Sequence, residues 1–341
     1  MTKIETTELA PGYTVPRIIN GGWHLQGQSR DEVLKLALRQ AEAGLVAFET
    51  ADTYPDGENL MGELQALRRR NGQAPVRIHT RYSPDVTSGP PSSLAVVKAL
   101  DDALIRLRSE QLDLVQLQWW RLDVPGWLDV YGWLSEQQQA GKIAQLGLSN
   151  FTTSALQIIL SVGLPVVSNQ VQISLVDKRA LGAMRDLCQA HDISLLAYGP
   201  LCGGNLTSHK PDPASIVPPA DYSREYRLMV EQFGGWDLLQ NLVTVLNQIA
   251  SRHDVSASVI ALRWVLDQAG VAALMLGASN PRNIANNLKV FDIALTTEDR
   301  ADLDEILARR NPSNGGPGEL EREPDGLFQE LIVASREAQG T

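Results

Sequence analysis

The chain has 341 residues, 43% hydrophobic and 21% charged, enough apolar material for a sizeable core and not a disordered composition. Its 40 acidic against 30 basic residues give a formal net charge of −10, which argues against a nucleic-acid or anionic-membrane partner. Only two cysteines occur, Cys188 and Cys202, with no CxxC or Cys/His spacing, so neither a disulfide framework nor a metal site is expected.

The first 16 residues carry no basic segment followed by an apolar run, and no apolar stretch approaches the ~20 residues of a spanning helix. The expected setting is therefore the cytosol. A short strand is expected over 17–20. Ser29 stands three residues before Glu32, the spacing of a capping box, and Val33, Leu34, Ala37, Leu38 and Ala41 then share one helical face that Gly44 terminates. A strand over 45–50 leads through Glu49, Asp52 and Tyr54 into a helix over 58–70.

The alternation continues with strands over 76–80, 113–118, 144–148, 166–171, 194–198 and 272–276. Between and after them helices are expected over 94–107, 127–140, 153–162, 179–191, 238–252, 256–268 and 283–289. Repeated strand–helix units imply parallel strands with crossover helices, and eight such units fit one closed (β/α)₈ TIM barrel over residues 1–310. An open doubly wound sheet is the competing architecture, but no GxGxxG follows the first strand.

Two segments break the rhythm. Residues 203–236, after the seventh strand, are rich in Pro, Gly, Ser and Asp, and a long βα loop sits on the active face of a barrel. The tail over 311–341 is polar and Gly/Pro-rich, then weakly helical over 326–337; it reads as an active-site lid or as a frayed end.

Polar clusters recur at strand ends, which converge on one mouth in a barrel. Ser149 and Asn150 close the fifth strand, Asn169 and Gln170 lie on the sixth, and Tyr198 closes the seventh before Gly199, Pro200 and Leu201. Carboxamides both donate and accept, so they suit a carboxamide-bearing ring, and a tyrosine face stacks on one. Gly277 to Pro281 opens the last helix with free backbone N–H groups that favour a phosphate. Each cluster alone reads equally well as a set of helix caps.

The runs GLSNF at 147–151, NQ at 169–170, LLAYGPLCGGNL at 195–206 and GASNPRNIANNL at 277–288, in that order, resemble the aldo-keto reductase superfamily. The resemblance extends over about residues 17–300. It implies a (β/α)₈ barrel that binds NADP(H) in extended form without a Rossmann fold. It further implies Ser149, Asn150 and Gln170 at the nicotinamide carboxamide, Tyr198 stacked on the ring, and Pro200, Leu201 and Gly203 along the pyrophosphate. Gly277, Ser279, Asn283 and Asn287 would meet the phosphate and adenine end. The family's basic residue for a 2′-phosphate falls on Ser279 or Asn283, with Arg282 adjacent, so NAD remains an alternative to NADP.

The resemblance also locates four catalytic positions, and three depart from the family's Asp, Tyr, Lys and His. They are Glu49, Tyr54, Arg81 and Gln118. Glu for Asp keeps the charge and adds a methylene, a shift of roughly an ångström in a place where such shifts matter. Arg for Lys keeps a cation in a planar fork. Gln for His loses titration and keeps a donor. Tyr54 is the candidate general acid. Asp52 is a candidate helper or a solvated cap, and His79, one pleat below Arg81, reads as a hydrogen-bonded core histidine. Trp23, His24, Trp119 and Trp120 follow the first and fourth strands and are expected to wall an apolar substrate pocket.

Three functions follow. The first is an NAD(P)(H)-dependent oxidoreductase acting on a carbonyl or alcohol of a small hydrophobic molecule. The second is a non-redox enzyme on the same barrel, an isomerase, dehydratase or cyclase. The third is a non-catalytic NADP(H) sensor or subunit. No metal is expected, and the sequence leaves the oligomeric state open.

Overall fold

The computed structural model describes residues 3–23, 29–207, 220–277, 280–313 and 315–322, with only the backbone of 220–224. Eight parallel strands close into a barrel in the order β3 (Ile18–Gly21), β4 (Ala47–Ala51), β5 (Arg77–Tyr82), β6 (Leu112–Gln118), β7 (Ile143–Ser149), β8 (Ser168–Gln172), β9 (Ser194–Tyr198) and β10 (Val271–Leu276). Each strand follows its sequence neighbour, as right-handed βα units require, and β10 pairs back onto β3. The expected TIM barrel is the observed fold.

Among the described residues eight of the expected helices are present as single helices, among them α1 (Arg30–Glu42), α2 (Gly57–Arg70), α3 (Ser93–Leu107), α4 (Trp127–Gln139) and α5 (Thr153–Ser161). Ser29 caps α1 by accepting from Glu32 N, and Ser92 and Thr152 cap α3 and α5 in the same way. The expected helix over 179–191 is split. A 3-10 turn, Arg179–Leu181, is separated from α6 (Ala183–Ala190) by Gly182, whose φ of −114° and ψ of −124° lie outside the helical region.

Three elements went unread in the sequence. An antiparallel hairpin, β1 (Thr6–Ala10) and β2 (Tyr13–Pro16), turns through Pro11 and Gly12, where Gly12 has φ +76°. Its Leu9, Tyr13 and Val15 plug the barrel floor against Ile19, Ala47, Leu114 and Leu196. Within the long segment after β9 lies α7 (Ala220–Phe233), directly followed by α8 (Gly235–His253). After α9 (Ala257–Leu266) and α10 (Pro281–Leu288), α11 (Thr297–Leu307) is opened by a capping box between Thr296 and Asp299. The tail is described to Arg322 and ends in a 3-10 turn, Leu320–Arg322; the helix expected over 326–337 lies outside the described residues.

Strand alternation sorts the side chains. Leu195 and Ala197 face the outer core between barrel and helices, whereas Leu196 and Tyr198 face the lumen. Register then ranks the lumen-facing residues: Gln116 opposes Gly147 and Gly147 opposes Ser168, while one pleat higher Gln118 opposes Ser149 and Ser149 opposes Gln170. Among the described residues, no helix is long and apolar enough to cross a membrane and no cluster of His, Cys, Asp and Glu is arranged to hold a metal.

Candidate active site

Glu49 is on β4 and Arg81 near the end of β5, where Ala51 pairs with Arg81 in register. Two tight turns, Tyr54 N to Ala51 O and Gly57 N to Tyr54 O, fold the chain back so that Tyr54 stands over its own strand. Gly22, just past the end of β3, allows a close approach: a Cβ there would lie 2.8 Å from the Glu49 carbonyl oxygen and 3.4 Å from the Tyr54 ring. Its N–H donates to Glu49 Oε2 at 3.1 Å.

These residues form one closed network. Arg81 Nε pairs with Glu49 Oε1 at 3.0 Å, Nη1 donates to Gln118 Oε1 at 2.7 Å, and Nη2 donates to the Tyr54 hydroxyl oxygen. The Tyr54 hydroxyl lies 3.3 Å from Glu49 Oε1. A lysine ammonium is a compact charge, whereas the guanidinium fork meets carboxylate, phenol and amide from one plane. Burial opposes the charge of Arg81, but Tyr54, Glu49 and Asp52 outweigh it and hold its pKa above the ordinary value. Asp52 itself is exposed and its carboxylate accepts from Ser83 N at 3.0 and 3.2 Å, the geometry of a loop cap.

Arg81 also fixes the amide of Gln118. A guanidinium only donates, so the Gln118 carbonyl must face it, and the Ser149 hydroxyl adds a second contact to the same oxygen at 3.5 Å. The Gln118 amide nitrogen has no protein acceptor among the described residues. Gln170 is held in a parallel way, its Oε1 accepting from Gln116 Nε2 at 2.8 Å. Two amide N–H₂ groups are thus left available in the top lumen layer on either side of Ser149.

The residues expected at a nicotinamide are brought together. Asn150, at φ +57°, donates its backbone N–H to Gln170 O at 2.8 Å and accepts from the Tyr198 hydroxyl at 3.0 Å. Burial, then Glu225 and Glu321, raise the Tyr198 pKa well above the ordinary phenol value. Asn169 points the other way, with its amide donating to Phe151 O at 3.1 Å in the outer layer. Pro200 is buried, Leu201 half-buried and Gly203 exposed. Gly199 and Gly203 both have positive φ, and a Cβ on either would collide with the Tyr226 ring of α7. On α10, Asn287 is buried and Asn283 exposed, while Asn280 caps the helix by accepting from Arg282 N at 2.9 Å. Gly277 is half-buried; Ser279 and His24 lie outside the described residues.

Of the tryptophans, Trp23 lies with its ring 5.4 Å from that of Tyr54, edge to face. Trp120 is half-buried under the Arg322 guanidinium. Trp119 is placed otherwise than expected. Its side chain is 1% exposed within the outer core, and its indole N–H is shared between Arg121 O and Val124 O, so its ring does not wall a pocket at the mouth.

The tail supplies residues the sequence did not single out. Arg179, after β8, is buried between two carboxylates, Asp177 (2.8 Å) and Glu321 (2.6 Å), and Glu225 of α7 is close enough to be felt by it. Burial works against the Arg179 charge, yet Asp177 and Glu321 raise its pKa overall. In the tail, Arg322 follows Glu321 and donates to the carbonyls of Trp120 (2.9 Å), Gly318 (2.7 Å) and Trp119 (3.0 Å). Close to these anchors, Gly318 approaches the Asn150 carbonyl so closely that a Cβ would lie 2.9 Å from it. Lone charged residues in a polar tail gave no sequence signal for this, because their partners lie well over 100 positions away.

His79 is fully buried below the network. Neither ring nitrogen has a hydrogen-bond partner among the described residues, unlike the satisfied core histidine expected there, and burial with nearby Arg77 lowers its pKa to about 3.

Comparison with known proteins bears on the family and the fold. The aldo/keto reductase family model matches residues 17–308. The chain is 24% identical over 330 residues to an aldo-keto reductase, YhdN, of Bacillus subtilis, covering 92% of this chain and 97% of that one. It is 25% identical over 299 residues to the methylglyoxal reductase YeaE of Escherichia coli, covering 85% and 90%. Among solved structures, the glycerol dehydrogenase AKR11B4 of Gluconobacter oxydans is 25% identical with a TM-score of 0.75, covering 92% and 98%. An aldo-keto reductase of Klebsiella pneumoniae solved in complex with NADPH is 23% identical with a TM-score of 0.69, covering 92% and 97%. A family match over residues 17–308, nearly the whole barrel, establishes that the chain belongs to the aldo/keto reductase family of oxidoreductases.

Proposed function

We propose that this barrel binds NADP(H) across its mouth and reduces the carbonyl of a small, apolar molecule, with Tyr54 as the general acid. The observation that carries the reading is the closed contact of Tyr54 with Arg81 and Glu49. The residues present suit the cofactor: two amide donors stand in the top lumen layer beside Asn150 and Tyr198, and related proteins have been solved with NADP and NADPH. Arg282, exposed at the start of α10, supports NADP over NAD by offering a cation to a 2′-phosphate.

The bound reduced cofactor supplies the hydride. Tyr54 gives its proton to the carbonyl oxygen, and Arg81 stabilises the phenolate that remains. Glu49 compensates Arg81 and holds its fork in place, so that the cation costs little to keep buried. Gln118 donates from its free amide nitrogen to the same carbonyl oxygen, the orienting role of a histidine without its titration. Trp23 forms an apolar wall beside Tyr54. Residues 315–322 act as a strap across the mouth, tied down by Glu321 to Arg179 on one side and by Arg322 to the Trp119 and Trp120 carbonyls on the other.

Titrating NADPH and NADH while following tryptophan fluorescence tests the binding. Adding carbonyl compounds and following nicotinamide absorbance tests the chemistry. Saturable quenching with NADPH at lower concentration than NADH, followed by carbonyl-dependent loss of absorbance, is expected. Product formation with unchanged absorbance would instead favour an isomerase, dehydratase or cyclase, and tight binding without any turnover a sensor.

A further inference from the structure

Gln116 sits on β6 one pleat below Gln118, is fully buried beside Arg81 in the strand register, and its side chain hydrogen-bonds to none of the groups in the proton chemistry. We propose that Gln116 is a positioning residue that fixes which end of the Gln170 amide faces the mouth, so that the site reads the carbonyl oxygen of the nicotinamide carboxamide rather than its amino group. The inference rests on the reading that the dinucleotide binds there.

An amide has a donor end and an acceptor end of almost the same shape, so position alone does not decide what it presents. Here the Gln116 amide nitrogen donates to Gln170 Oε1 at 2.8 Å, which occupies the acceptor and leaves the Gln170 N–H₂ for a ligand. Both side chains are at most 4% exposed, so the bond forms away from water, and the Gln116 carbonyl oxygen on its other side has no hydrogen-bond partner among the described residues.

The backbone between them is shaped for this contact. Gln116 opposes Gly147, which opposes Ser168, while Gln170 lies one pleat above Ser168; the Gln116 side chain must therefore cross β7 to reach β8. Gly147 leaves that passage open. A Cβ there would lie 2.7 Å from Ser168 Oγ and 3.4 Å from Gln116 Cγ. The same logic holds Gln118 by Arg81, so the two upper amides present nitrogen rather than oxygen to whatever enters between them.

The test uses two probes, NADPH and its reduced 3-acetylpyridine analogue, which keeps the carbonyl oxygen and carries methyl in place of amino. Dissociation constants are measured by fluorescence for the full chain, Gln116→Glu and Gln116→Leu, at pH 6 and pH 9. The wild type is expected to bind both probes within about threefold of each other, since each offers the oxygen that Gln170 reads. In Gln116→Glu at pH 9 the new carboxylate only accepts, so the Gln170 amide turns its oxygen to the mouth. NADPH then still binds through its amino group, while the analogue weakens by about tenfold, the loss of one hydrogen bond. That discrimination shrinks at pH 6 as the buried carboxyl takes a proton. Gln116→Leu is expected to weaken both probes by about two- to fivefold. An unchanged probe ratio in Gln116→Glu, or wild-type affinity for both probes in Gln116→Leu, overturns the positioning role while leaving the cofactor reading intact; should Gln116→Glu not fold, Gln116→Leu decides. A wild type that binds neither probe overturns the cofactor reading and this inference with it.

Discussion

Glu49 and Arg81 form an ion pair of 3.0 Å between adjacent strand ends, their side chains only 3% and 11% exposed. Buried charges are tolerated when each compensates the other and the remaining hydrogen-bonding capacity is used. Here Glu49 also accepts from Gly22 N, and Arg81 also donates to Tyr54 and Gln118. Glu49 and Arg81 therefore work as one unit, with the carboxylate reaching the guanidinium fork across the two strands.

Breaking that unit from one side should be costly. Arg81→Met leaves Glu49 buried and uncompensated, and about 3–5 kcal/mol of stability should be lost at pH 7. Urea denaturation of Arg81→Met and of the double variant Arg81→Met/Glu49→Gln checks this, with a smaller loss in the double variant because no buried charge is then left uncompensated. Equal losses in the two variants would assign the effect to packing.

Gln118 makes a different prediction. Gln118→Leu should lower kcat by about 10- to 100-fold by removing one donor to the reacting oxygen, with little change in NADPH affinity. Because Gln118 does not titrate, the residue that orients the carbonyl oxygen contributes no limb of its own near pH 6.5, the usual histidine value. Gln118→His should introduce one, read as a new limb in the pH–rate profile.

Much of this was legible in the sequence. Strand–helix alternation marked the barrel, and the order of GLSNF, NQ and the AYGPL run marked which strand ends converge. The β9 strand was read to the residue because its short apolar run is bounded by Asp192 on one side and Gly199 on the other. The floor hairpin was missed although Pro11-Gly12 between alternating segments is a turn signal. Helix α7 was hidden because its start follows a Pro-rich run, and Tyr226, which fills the space against Gly199 and Gly203, has no periodic signature of its own. The direction of a side chain was harder still. Trp119 and Trp120 are adjacent, yet one ring enters the core and the other lies beneath Arg322. Long-range charge pairs such as Arg179 with Glu321 leave no local pattern at all.

The rim carries a pH dependence. Glu225 is half-buried, and burial together with Glu321 raises its pKa to about 8, against the pull of Arg179. A carboxyl whose folded-state value lies above its unfolded value favours the fold while protonated. Its contribution is complete below about 4.5 and is lost as pH rises towards 8. Glu225→Gln should therefore raise the melting temperature at pH 8 relative to wild type and flatten the decline between pH 5 and 8. Thermal scans across that range check it; parallel curves would show that Glu225 does not titrate there.

The strap is tested through release kinetics. Glu321→Gln weakens its tie to Arg179, and NADPH should leave several-fold faster while the rate of its entry changes less. Stopped-flow displacement measures both rates. Unchanged release would show that the tail does not hold the cofactor in.

The central claim is that Tyr54 delivers a proton to a carbonyl beside bound NADPH, and a single-turnover comparison of wild type with Tyr54→Phe tests it most directly. With enzyme and NADPH premixed and a reactive carbonyl added, the wild type should consume the bound nicotinamide. Tyr54→Phe should bind NADPH with similar affinity but consume it about 10²–10⁴ times more slowly. Equal rates of consumption in the two proteins would contradict the account.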